Sequence, residues 1–167
     1  MKRFSASTLI ELLTLSLLPV TAFAQTQGIS IPADNAPSLK LEILMDAKVT
    51  TKGDKTSILL KDAWVYIWSV PTVKTIAEAV PQTATIIKSE FTDFKLTETK
   101  HLNIAGHDAD HLFGKGLEAD DGDPGAAEVV IFTVGKHVFA ACVHGEDEAA
   151  AKKRPDMLTI LKSAKAL

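Results

Sequence analysis

The chain has 167 residues, enough for one domain with its own core, and sets 18 Lys and Arg against 21 Asp and Glu for a net charge of −3. An acidic balance of that size favours solubility and argues against nucleic acid as a partner. Its one cysteine, Cys142, excludes an intramolecular disulfide, so stability has to come from packing.

Lys2 and Arg3 precede an apolar run from Leu9 to Phe23, which closes on Ala22-Phe23-Ala24, the small-x-small pattern cut by signal peptidase. The run falls short of the ~20 apolar residues of a spanning helix and includes Glu11. Residues 1–24 are therefore expected to be a signal peptide, cleaved after Ala24 to leave a periplasmic or secreted protein without a membrane span. Residues 25–38 carry two prolines and few large apolar groups, the composition of a flexible N-terminal arm. A single α+β domain is expected over 39–167.

Leu39, Leu41 and Ile43 alternate with polar residues, as in a half-buried strand. Gly53-Asp54 predicts a hairpin turn between Lys48–Lys52 and Thr56–Leu60. Ala63–Trp68 is aromatic and β-branched, hence another strand. Thr75 with Glu78 has the spacing of a capping box, and Ile76, Val80, Thr83, Ile87 and Phe91 then recur at helical spacing, with Pro81 set to kink or delay the helix. Two further hairpins are expected, turning at Ala105-Gly106-His107 and at Gly135-Lys136-His137. Val129–Phe132 and Val138–Val143 are apolar on both faces, which places them mid-sheet. A short acidic-to-basic helix should end at Lys152-Lys153-Arg154, and Pro155 should restart the chain as a second helix through Met157, Leu158, Leu161 and Ala164.

In this order of elements, a helix precedes a hairpin with Gly106-His107-Asp108-Ala109, an acidic loop, a second hairpin and the closing Met157–Ser163 helix. The pattern resembles the PsbP-like fold across roughly residues 39–166. That resemblance implies an α/β/α sandwich, with an antiparallel central sheet of about 6–8 strands and helices on both faces. It also implies a mostly non-enzymatic role, binding protein partners or helping complexes assemble. No site residue carries over, because no site motif of that family is present to match.

Chemistry-bearing residues are few. His107 and His111 in GHDADH would share a metal ion if helical, but on a strand four residues span about 13 Å, so a metal ion there needs His101 from the neighbouring strand. The loop containing Glu118, Asp120, Asp121 and Asp123 offers carboxylates to a divalent cation, although its spacing is not that of an EF-hand. Cys142 and His144 share a strand face, a spacing that raises a Cys/His hydrolase and is better met by a buried core cysteine. Trp64, Tyr66 and Trp68 also share one face, where core packing is the expected role and a ligand or partner surface the alternative. No catalytic residue set and no cofactor motif is found. The expectation is an exported non-catalytic binding or accessory module for another envelope or secreted protein. The alternatives are an exported metal-ion-binding protein using His101, His107, His111, Asp120, Asp121 and Asp123, and a small Cys/His hydrolase.

Overall fold

The computed structural model describes residues 25–60 and 63–167. The expected leader, residues 1–24, lies outside the described residues. Strands β1 (Thr26–Ala33) and β2 (Ala36–Leu44) form an antiparallel hairpin, completed by the short β10 (Lys165–Ala166) in the order β1-β2-β10. The larger sheet contains β3 (Lys48–Lys52), β4 (Lys55–Leu60), β5 (Ala63–Ser69), β6 (Phe91–Ile104), β7 (His107–Glu118), β8 (Pro124–Val134) and β9 (His137–Glu146). Its order is β3-β4-β5-β9-β8-β7-β6, antiparallel at every described pairing. Helix α1 (Ile76–Lys88) packs on one face against β6, β8 and β9, while α2 (Asp147–Leu161) packs on the other against β8 and β9 beside the small sheet. This is the α+β architecture expected from the sequence, with helices on both faces.

Two cores follow from this layering. On the α2 side, Ile31, Leu39, Leu41, Ile58, Val65, Val130, Phe132, Phe139, Met157 and Leu161 bury together. On the α1 side, Trp68, Ala79, Ile87, Leu112, Val129, Ile131 and Cys142 do so. The strands β8 and β9 contribute to both, which is why they are apolar throughout.

Three local expectations change. Residues 25–38 are not an arm but β1 and the start of β2, because Ile29 and Ile31 alternate inward and Ile31 is fully buried. The prolines fit this hairpin: Pro32 lies on the edge strand, at a register shift opposite Pro37. Asp34 and Asn35 both take positive φ (52° and 62°), the requirement of a two-residue type I′ turn. Second, α2 is one helix that runs through Pro155, held there by buried Met157 and Leu161 despite the hydrogen bond that Pro removes. Third, α1 buries Ala79, Thr83 and Ile87, with Ile76 and Val80 at the margin, and Phe91 opens β6 instead of closing the helix. Its capping is as expected: the Thr75 hydroxyl accepts from the Glu78 N–H at 3.3 Å, and Pro81 lies inside the helix.

Candidate functional site

The strand spacing of β6 and β7 decides the fate of the histidines. His101 pairs in register with Asp110, so the two share a face, and the ring Nδ1 lies 3.0 Å from the carboxylate at the surface. His111, one residue on, points to the opposite face and is 4 % exposed. Its Nε2 meets Oε2 of buried Glu128, whose other oxygen lies 3.5 Å from an Arg154 guanidinium nitrogen on α2. His107 stands beside the turn, paired with Ile104. The three histidines are therefore not brought together. Glu128 was the residue to notice here: it is one charge inside the apolar run Gly125–Phe132, where a buried carboxylate needs a partner.

The acidic loop between β7 and β8 does gather ligand atoms. Carboxylate oxygens of Glu118, Asp120 and Asp121 lie within 4.8 Å of one another and could chelate a divalent cation. Asp123 serves the turn instead: its N–H donates to Asp121 Oδ1 at 2.9 Å and its carbonyl accepts from the Glu118 N–H at 2.8 Å. Burial, reinforced by Asp121 and Asp120, raises the Glu118 carboxyl above the usual carboxylate range. Next to the loop a cavity of about 150 Å³ is lined by Glu90, Glu118, Ala119, Asp120 and His144.

His144 links this acidic end to an aromatic stack. Its ring lies parallel to Tyr66 at 5.3 Å between centroids, Tyr66 lies parallel to Trp64 at 6.4 Å, and Phe91 approaches His144 edge-on. Lys55 Nζ sits 4.4 Å from the Tyr66 ring centre. Burial holds the His144 imidazole below the ordinary histidine range, and pushes the Tyr66 phenol up with help from Glu90. Cys142, buried on the same face, has its thiol pushed up to about 12 by desolvation, so it is protonated at neutral pH. A buried thiol held in its protonated form is not an activated nucleophile.

The stripe Trp64, Tyr66, Trp68 splits between core and surface. Trp68 is buried in the α1-side core, Tyr66 is half-buried at its margin and Trp64 is 41 % exposed, because α1 packs over β6, β8 and β9 and reaches only the Trp68 end of β5, leaving the same face of β3, β4 and the Trp64 end of β5 uncovered by the described residues. In-register pairing brings Lys48, Thr50 and Lys52 of β3 and Lys55, Ser57 and Leu59 of β4 onto that face. The result is a surface with lysines at one end, stacked rings in the middle and carboxylates beyond His144.

No family model and no curated protein sequence matches the chain. Solved structures do. The solution structure of cyanobacterial PsbP (CyanoP) from Synechocystis sp. PCC 6803 superposes with a TM-score of 0.59 at 12 % identity, covering 92 % of this chain and 99 % of that one. The chain has the PsbP-like fold. Looser likenesses, each with a TM-score of 0.49, are to a protein of unknown function from Pseudomonas aeruginosa and to LpqN of Mycobacterium tuberculosis, a protein involved in cell envelope biogenesis. The first is 15 % identical and covers 83 % of this chain and 94 % of that one. The second is 11 % identical and covers 85 % and 90 %. No helix among the described residues is long and apolar enough to cross a membrane.

Proposed function

We propose that the protein is an exported, non-catalytic accessory module that docks an envelope or secreted protein through the uncovered face of β3, β4 and β5. The observation that carries this reading is the half-exposed Trp64–Tyr66–His144 stack, set among lysines on the part of the sheet that α1 does not cover. Tryptophan and tyrosine are among the side chains that concentrate binding energy at protein interfaces, and charges around them steer and orient the partner. The leader-like residues 1–24 support export, and the raised Cys142 thiol counts against nucleophilic chemistry.

A photo-reactive amino acid placed at position 64 in the full chain, expressed in its own cell, tests the reading. Cross-linking should yield one identified envelope or secreted protein, lost when Lys48 and Lys52 become Glu and absent when the probe is moved to Thr99 on β6. Equal labelling from both positions, or labelling of cytoplasmic proteins alone, would overturn it. A second reading, divalent-cation binding, rests on the Glu118, Asp120 and Asp121 cluster. It requires calcium or magnesium to raise the melting temperature by linkage, and the rise to vanish in Asp120→Asn.

A further inference from the structure

The docking face has a polarity that limits what can cover it. Lys48, Lys52 and Lys55 lie at its β3–β4 end, Trp64, Tyr66 and His144 at its centre, and Glu90, Glu118 and Asp120 around the cavity on the far side of His144. Both ends act electrostatically on the centre, since Lys55 on one side and Glu90 and Asp120 on the other each act on His144. A surface that is positive, aromatic and then negative along one line is complementary to itself after a half-turn about its middle. That is the requirement for an isologous two-fold contact.

We propose that this face pairs with a second copy of the chain about a two-fold axis near the Trp64–Tyr66 stack, setting Lys48, Lys52 and Lys55 of each copy against Glu90, Glu118 and Asp120 of the other. The inference rests on the reading of this face as a binding surface; the second copy is then the resting occupant, and a different protein competes for the same residues. Pairing through sheet edges is disfavoured. Edge strand β3 is short and carries Lys48 and Lys52, while edge strand β6 is interrupted by two register shifts. An anionic membrane is disfavoured too, because the carboxylate end would lie against it. Four strands at about 4.8 Å and six residues at about 3.3 Å give a face of roughly 20 by 20 Å. That is below the ~800 Å² per partner of a standard interface, so the dimer should be weak, with Kd on the order of tens of micromolar.

Sedimentation velocity on the purified chain decides. The wild type should pass from monomer to dimer with concentration at low salt, and the dimer should weaken at high salt as the charges are screened. Lys48→Glu/Lys52→Glu/Lys55→Glu, with two acidic ends, should be monomeric. So should Glu118→Lys/Asp120→Lys, with two basic ends. An equimolar mixture of the two should form a dimer again, a gain that misfolded protein cannot produce. A wild type that stays monomeric, a dimer indifferent to both swaps, or a mixture that does not associate overturns the proposal. If cross-linking from position 64 still captures a different protein, the docking face stands and only the second copy is removed. If neither is found, the face itself is rejected.

Discussion

Glu128 shows what a single misplaced-looking residue can be for. Its carboxylate lies in the interior of β8, bonded to buried His111 and reached by Arg154 from α2, so it ties strand β7, strand β8 and the helix above them at one point. Removing one member of a buried pair leaves the other charged or polar group without a partner, at about 3–5 kcal/mol. Glu128→Ala and His111→Ala should each lower the urea midpoint by that scale. Arg154→Ala should cost under about 1 kcal/mol, because the arginine side chain is 45 % exposed and solvent screens its charge. The double variant His111→Leu/Glu128→Leu should recover most of the loss, since nothing polar is then stranded. Additive losses in the double variant would show that packing around these residues, not the pair, holds α2.

At the level of elements, β6 and β7 show how a local sequence oddity is resolved by a neighbour. Gly114 lies in a strand, where glycine packs nothing, yet its missing Cβ is the space that the Phe94 ring fills: a methyl group there would overlap the Cζ tip of the ring. Phe94 reaches it because β6 bulges between Thr92 and Lys95, with Asp93 at φ 56°. Gly114→Ala should therefore destabilise by about 1–3 kcal/mol by overpacking, in thermal or urea unfolding, and should cost much less in a Phe94→Ala background. A loss unchanged by Phe94→Ala would point to the strand backbone instead. Such long-range fits were not legible in the sequence. The hairpin turns at Ala105-Gly106 and Gly135-Lys136 were, because Gly106 and Gly135 supply the positive φ that each turn needs, although Ala105 also takes φ 54° without any such signal. The N-terminal hairpin was hidden by its prolines, although Asp34-Asn35 is the signature of the turn it makes. For the candidate site, the acidic loop and the Trp64–Tyr66 face were visible as residues. Their meeting at His144 was not, since it depends on β9 lying beside β5, seventy residues away in the chain, and strand order leaves no local trace.

For the molecule as a whole, these groups set how stability varies with pH. The folded state holds His144 below its ordinary value near 6.5, so the unfolded chain takes up that proton first. Stability from this group is complete above pH ~6.5 and is lost as pH falls below it, ending at the lower folded value. Glu118 works in the other direction: held above its ordinary value, it subtracts stability as pH rises out of the carboxylate range, so Glu118→Gln should leave neutral-pH stability equal or higher. Urea unfolding between pH 5 and pH 8 should show a decline on the acid side of ~6.5 that His144→Phe flattens while keeping a ring against Tyr66. A decline that persists unchanged in His144→Phe would assign it to another group.

Strand β10 carries a consequence for the order in which the chain becomes a structure. It pairs with Leu39 and Lys40 of β2, the Leu167 N–H donates to the Ser38 carbonyl at 3.2 Å, and Ser163 Oγ accepts from the Glu42 N–H at 2.8 Å across 121 positions of sequence. Among the described residues, the free edge of the β1–β2 hairpin is thus covered by residues 163–167, which are made more than a hundred residues after it. Until they are made, the hairpin presents β2, with Leu39 and Leu41 on its inner face, as an unclaimed edge. That interval is an opening for a chaperone, and it closes only when residues 163–167 reach β2.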